Sequence, residues 1–516
     1  MNNKYFSYIL IFTLAFLVLP SCADLDEEIK DGFTTIEAGD ADPAQLLQGA
    51  YDGLRTLQTQ EELGTVLLHT TDEMAGPTRG RDWDDAGIWR VLHTHSWTTA
   101  HQFINRLWKT FNSNSFSAFN VLCAGATGQV KAEATFLRAL SDFYILDNFG
   151  KLPRRPCNDN LVNPPTQVLG RAELVDIIIG ELEAEIPNLA EGVGASVASK
   201  DAAYALLSKL YLNRAVYKAT GSDGGAMEGP YSFDAADMDK VIAYCDNIIN
   251  SGRYSVDDNY FDNFSPDNGD QSSELIFVSE NTSGAAAGNV RCYFHMSTHY
   301  NQNPSGWNGF VALTDLYNLF EEGDKRAKAE LPLFQEGNSG LNAGFLVGQQ
   351  YDGAGNELQD RTGLPLAFTP EFGLTETSSN FEIAGIRCIK YPVDFTTPGD
   401  AADNDFVIFR FADVWLMKAE AMMRKGNTAE ALTMVNTLRS VRGASQLGSI
   451  TEQTLLDERG RELYWENWRR NDQIRFGTFL GTWQQKPNPS AVTRLLFSIP
   501  GEAISTNPNL EQNPGY

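Results

Sequence analysis

Two polar, aperiodic stretches of this 516-residue chain hold the residues best suited to chemistry. The first, TDEMAGPTRGRDWDD at 71–85, sets Trp83 near Asp72, Arg79, Arg81 and Asp82, in a run that has neither the helical nor the strand period and reads as a long ordered loop. No helical face calls for Trp83 there. The second, RCYFHMSTHYNQNPSGWNGF at 291–310, combines the rings of Tyr293, Tyr300 and Trp307 with the amides of Asn301, Gln302 and Asn303. Aromatic rings stack on flat apolar faces such as the C–H faces of sugars, while Arg, Asp, Asn and Gln exchange hydrogen bonds with hydroxyls. A glycan platform needs both kinds of group, and loops held on a rigid scaffold are where binding residues gather. Trp307 fits equally a structural role in the Gly-Trp-Asn-Gly-Phe turn, so the sequence leaves both readings open. As a platform, Trp83 and Trp307 are expected to form opposite parts of one aromatic surface.

Other groups point away from catalysis. His93, His95 and His101 cluster, and His295 and His299 are spaced i, i+4, but the segment HMSTH lacks the Glu of a hydrolytic zinc helix; structural histidines and no metal are expected. With 67 acidic residues, any two carboxylates could be named as acid and base, so their number singles out none, and no G-x-S-x-G elbow is present. No catalytic residue, cofactor or enzymatic activity is expected. The glycine-rich GSDGGAMEG at 221–229 lacks a following Lys-Ser/Thr and reads as a flexible connection, not a phosphate loop. Cys123, Cys157, Cys245, Cys292 and Cys388 have no C-x-x-C spacing; they suit buried positions, with room for one bridge in an oxidising exterior.

The formal charge of −27 repels nucleic acid and anionic lipid and favours an uncharged ligand. Residues 1–21 read as a lipoprotein signal peptide: Lys4, an apolar run at 8–19 too short to span a bilayer, then Leu19-Pro20-Ser21 before Cys22. The rival reading is an ordinary secretory signal with Cys22 as a passenger. Acyl chains on Cys22 would anchor the rest of the chain, beginning with an acidic tether at 22–42.

The elements that must position the loops are helices. At 408–476 apolar residues recur at helical spacing (Phe411, Trp415, Leu416, Ala419, Met422, Met423, then Leu432, Val435, Leu438, Val441), broken at Lys425-Gly426-Asn427-Thr428. Gly426 can take the left-handed conformation that ends one helix, and Asn427 or Thr428 can cap the next. Ala412, Ala419, Ala421 and Ala431 allow close approach, the composition of a tetratricopeptide-type hairpin, which needs neighbouring hairpins to bury its face. Helical spacing also begins at 43 and resumes at 103–119, 130–148, 171–189, 201–217 and 238–249, giving four helix pairs. Trp415, Trp465 and Trp468 are expected on these helices as packing residues. Between 254 and 405 periodicity weakens, with strand-like runs only at 274–279 and 386–391.

FADVWLMKAEA, then AL-x-x-VN-x-LRSVRG and DERGRELYWENWRRNDQIRFG, with AEATFLRAL and FG-x-LP upstream and FSIP and NPNLEQNP at the end, resemble the signatures of the SusD-like (RagB/SusD) family of nutrient-binding outer-membrane lipoproteins. The resemblance covers most of the chain. It implies a mostly α fold, a tetratricopeptide-like superhelix carrying a loop-rich, irregular subdomain. The expected division is a signal peptide at 1–21, the tether at 22–42, a helical-repeat region at 43–253 with a binding loop near 71–98, the irregular subdomain at 254–405, and a helical hairpin with closing segment at 406–516. It implies surface exposure at the outer membrane, with the acidic run at 24–28 as sorting signal, and capture of a glycan for a SusC-like TonB-dependent transporter. Alternatives are peptide cargo, as in the RagB branch, or a transporter cap with little affinity of its own. Ligand-binding residues are expected at Asp72, Arg81, Trp83, Tyr300, Asn301 and Trp307.

Overall fold

The computed structural model describes residues 41–282, 290–329, 339–396 and 401–516, so the signal peptide, Cys22 and nearly all of the acidic tether lie outside the described residues. Eight helices form the first part: α1 Pro43–Asp52, α2 Leu63–His69, α3 Ile88–His93, α4 Gln102–Cys123, α5 Gly128–Asn148, α6 Arg171–Glu185, α7 Lys200–Lys218 and α8 Ala235–Ile249. After the irregular region come α9 Phe411–Arg424, α10 Thr428–Val441, α11 Glu452–Leu463 and α12 Arg469–Arg475. From α4 to α8 each helix packs on the next, α8 packs on α9 and α9 on α10, so the expected hairpins stack into one superhelix. α2 and α3 were not foreseen, because six or seven residues are too few to show a period.

The α9–α10 hairpin forms as its sequence dictates. Gly426 closes it at φ +89°, and Ala412, Ala419 and Ala431 are fully buried with Leu416, Val435 and Leu438 between the two helices. The expected capping by Asn427 or Thr428 is not made: Asn427 is the N-cap residue, but its side chain forms no capping bond. Trp465 and Trp468 are core residues, yet they lie in the link between α11 and α12 rather than on a helix, with Trp465 at φ +58°. Cys123 and Cys157 form a disulfide, while Cys245 and Cys388 are free and buried.

The irregular region is held by short strands: β1 Met74–Ala75, β2 Leu275–Ser279, β3 Val311–Ala312, β4 Gly344–Leu346, β5 Arg387–Ile389 and β6 Phe406–Arg410. The two strand-like runs of the sequence are β2 and β5. These strands pair antiparallel: β1 with β3, β2 with β6, and β4 with β5.

What the sequence did not announce is a buried lattice of ion pairs. Glu462 on α11 accepts from Arg410 at 2.7 Å, from Arg442 at 2.8 Å and from Arg326 at 3.1 Å. Arg410 also bonds Glu466 and Glu274, Arg442 bonds Glu274, and Arg326 bonds Glu458 and Asp324. A second cluster ties α9, α11 and α12 together: Arg459 to Asp413 and Asp472, Lys209 to Asp413, and Arg475 to Glu420 and Asp472. Burial alone would raise the Glu462 pKa; the guanidiniums of Arg442, Arg410 and Arg326 overcome it and hold the carboxyl well below its usual range. Burial is likewise outweighed at Glu420, where Arg475 and Arg424 bring the pKa to about 2.

Removing one member leaves buried cations without a counter-charge. Glu462→Ala should therefore cost about 3–5 kcal/mol in denaturant unfolding, and a loss under about 1 kcal/mol would show that the lattice does not hold the fold. Because the Glu420 and Glu462 pKa values are depressed on folding, their contribution is present above the ordinary carboxylate range and lost as pH falls through the folded values. Glu420→Gln should accordingly flatten the fall in melting temperature between pH 4.5 and 2.

Candidate functional site

The two polar stretches meet. β1 within 71–85 pairs with β3, which directly follows 291–310, in register Met74↔Ala312 and Ala75↔Val311. Three loops are then locked by buried arginines. Arg79, 1% exposed, donates through Nε to Asn308 O (2.8 Å), through Nη1 to Phe381 O (2.7 Å) and Ala384 O (2.8 Å), and through Nη2 to Gly309 O (3.3 Å). Arg387, fully buried, donates to the Asn308 side chain and to Glu382 O, Ala384 O and Gly385 O, and Asn308 Nδ2 donates to Glu382 O at 3.0 Å. Burial lowers the Arg79 pKa to about 10, still far above neutrality, so Arg79 acts as a fixed donor to backbone carbonyls.

On this frame Trp83 and Trp307 stand side by side rather than opposite. The Trp83 indole N–H donates to Trp307 O at 2.8 Å, and the ring centroids are 6.4 Å apart at 46°. Trp83 is half-buried, resting on Phe310 at 5.1 Å and Trp89 at 6.5 Å. Its backbone lies at φ +60°, followed by Asp85 and Ala86 in the same left-handed region, a conformation that non-glycine residues keep only where the surroundings impose it. Gly309 is required beneath it: a Cβ there would lie 2.4 Å from the indole. Trp307 is the outer ring, 37% exposed, packed edge-on against His295 at 4.9 Å.

Polar groups surround the pair. Arg81 is exposed and makes no hydrogen bond among the described residues. Asp82 accepts from the Tyr300 hydroxyl at 3.4 Å, and Asn301 Nδ2 donates to Gln359 O at 2.8 Å. Asp72 is placed elsewhere: both its oxygens are taken by Arg469, at 2.8 and 2.7 Å, which ties the start of the loop to α12. Beside it, the Trp465 indole donates to Glu73 O at 3.3 Å. Five of the six predicted site residues thus gather at one surface, and Asp72 anchors the loop behind it. The histidines are engaged in the frame: His93 with Gln484 O (2.9 Å), His95 with Thr70 O and Ser490 Oγ (both 2.8 Å), His101 with Ile88 O (3.1 Å). Sequence reasoning missed Asn308, Arg361, Glu382 and Arg387. Their partners lie up to 229 positions away in the numbering, between Arg79 and Asn308, and no local motif marks them.

Arg81, Asp82 and Trp307 are exposed there. Clefts of about 630 Å³ beside Tyr317 and Lys325 and of about 570 Å³ beside Trp108 and Phe116 are lined by other residues. Paired helices in a superhelix thus carry an irregular region that presents the two aromatic loops. The sequence model of the SusD family matches residues 247–495 of this chain. The chain is 28% identical to the starch-binding protein SusD of Bacteroides thetaiotaomicron over 428 residues, covering 75% of this chain and 72% of that one. Its fold matches a SusD superfamily protein from Parabacteroides distasonis (TM-score 0.68, 20% identity, 92% of this chain and 98% of that one). It also matches surface glycan-binding protein A from Bacteroides thetaiotaomicron in complex with laminarihexaose (TM-score 0.63, 16% identity, 91% and 98%).

The frame and the surface make different predictions. Arg79→Ala strands several buried carbonyls, each at a cost of about 1–3 kcal/mol, and should lower the melting temperature sharply. Trp307→Ala removes an exposed ring and should leave it within about a degree. Equal melting curves for the two variants would mean that Arg79 does not hold the loops.

Proposed function

We propose that the chain is a non-enzymatic glycan-binding lipoprotein of the cell surface, captured at the outer membrane through Cys22, that binds oligo- or polysaccharide on the Trp83–Trp307 surface and passes it to a SusC-like TonB-dependent transporter. The observation that carries the reading is the adjacent pair of indoles, one exposed, fixed on a buried arginine frame and ringed by hydroxyl-binding side chains. A stacked sugar needs a ring whose position does not adjust on binding, and pre-organisation keeps the entropic cost of binding low. An open face suits a polymer, because a chain lying across it need not thread its ends into a pocket. The starch-binding SusD relative and the laminarihexaose-bound neighbour support glycan as cargo. The formal charge of −27 supports a neutral one.

Calorimetric titration with soluble starch and with laminarin tests the reading. Trp307→Ala should weaken binding by roughly two- to tenfold, the value of one aromatic contact of about 0.5–1.5 kcal/mol, without loss of stability. Trp83→Ala should weaken it as well but also lower the melting temperature, because that ring packs on Phe310. Full affinity in Trp307→Ala would place any glycan site elsewhere. Cys22→Ala should move the protein from the membrane fraction to the soluble fraction, and continued partition with the membrane would refute the anchor.

A further inference from the structure

Arg361 is held in a way that few surface arginines are. Its Nε donates to Glu382 Oε1 at 2.6 Å and its backbone N–H to Glu382 Oε2 at 3.1 Å. Its guanidinium carbon lies over the Tyr300 ring, 3.9 Å from the centroid. Glu382 is itself fixed. The Asn301 backbone N–H donates to His299 Nδ1 at 3.1 Å, so the ring proton sits on Nε2, which donates to Glu382 Oε2 at 3.0 Å. Asn301 closes the circuit through its bond to Gln359, two residues before Arg361. Yet the Arg361 side chain is 44% exposed, and neither of its terminal nitrogens is hydrogen-bonded among the described residues. Through Tyr300 and Asp82 this guanidinium borders Trp83 and so the indole pair.

We propose that Arg361 is a ligand-recognising residue of this surface, its free edge donating to two neighbouring hydroxyls of a neutral sugar, with Glu382 and His299 as positioning residues. The inference rests on the glycan-binding reading above and names the sugar chemistry that the surface selects. Two parallel N–H donors match two adjacent oxygens. A carboxylate offers the same geometry, but Glu382 already balances the Arg361 charge and Asp82 stands beside it, so a uronate would bring in negative charge with nothing to offset it. With one face under the guanidinium, Tyr300 supports Arg361 on that side instead of stacking a sugar there.

The test titrates wild type, Arg361→Ala, Arg361→Lys, Glu382→Gln and Trp307→Ala with soluble starch, laminarin and polygalacturonate, alongside melting curves. Arg361→Ala should weaken binding of the neutral polymer by roughly tenfold, the scale of hydrogen bonds to a charged group, with its melting temperature unchanged. Arg361→Lys should restore little, because an ammonium lacks the fork. Glu382→Gln, which uncovers the guanidinium charge, should raise polygalacturonate binding relative to the neutral polymers; a merely structural Glu382 would weaken all three alike. Wild-type affinity in Arg361→Ala while Trp307→Ala has lost it overturns this inference and leaves the glycan reading standing. Affinity lost only together with stability overturns it too. Indifference of binding to Trp307→Ala overturns the reading on which it rests.

Discussion

The structure depends on the burial of Glu462 among three guanidiniums. Arg326, Arg410 and Arg442 come from the irregular region, from β6 and from the end of α10, and they converge on one carboxylate of α11. Such a lattice is poor evidence of net stabilisation, since taking each charge out of water costs several kcal/mol, roughly what the pairing returns. What it supplies is specificity of arrangement. A carboxylate that must meet three cations from three parts of the chain admits few alternative packings, whereas an apolar patch of the same size would tolerate many.

That constraint reaches the surface by short steps. Glu466, four residues beyond Glu462, holds Lys390 and Arg410, which fixes the link 464–468. From the link, Trp465 bonds Glu73, and Arg469 just past it grips Asp72 with both nitrogens of its fork. One residue further on, Met74 enters β1 against Ala312. The loop that carries Trp83 is therefore anchored at its root by the C-terminal helices and at its tip by Arg79. Positive φ at Trp83, Asp85 and Ala86 is sustained because both ends are held.

The sequence made the helices legible because a buried face repeats every few residues: α4 to α10 stand where their periods placed them, and Gly426 turns where a left-handed residue was needed. It made the two aromatic stretches legible by contrast, as rings where no period required them. It did not show that Asp72 would be consumed by Arg469, since a loop acid reads alike whether it faces a ligand or an arginine nearly four hundred positions away. Nor could it rank the charges of DERGRELYWENWRRNDQIRF. A surface helix and a buried ionic one can share a composition, and only the distant partners Arg326, Arg410 and Glu274 decide which it is. The same holds for Arg361 and Glu382, whose relation is purely spatial.

On the function proposed above, an exposed recognition surface and a buried frame are a single physical solution. A deep pocket can recruit affinity from enclosure, excluding water on all sides of a ligand. A flat surface cannot, so each contact must be made without an ordering cost at the moment of binding. That is why the groups behind the indoles are the least mobile kind available: buried arginines bonded to backbone carbonyls, a glycine that leaves room for a ring, and a histidine whose two nitrogens are both engaged. Burial pushes the His299 pKa down to about 4, so the ring stays neutral over the ordinary pH range and its pattern of one donor and one acceptor is kept. A protonated His299 would turn Nδ1 into a second donor facing the Asn301 N–H and break the circuit that holds Arg361. The depressed pKa is thus a condition for the surface to keep its shape, and it follows from the same burial that makes the loops rigid.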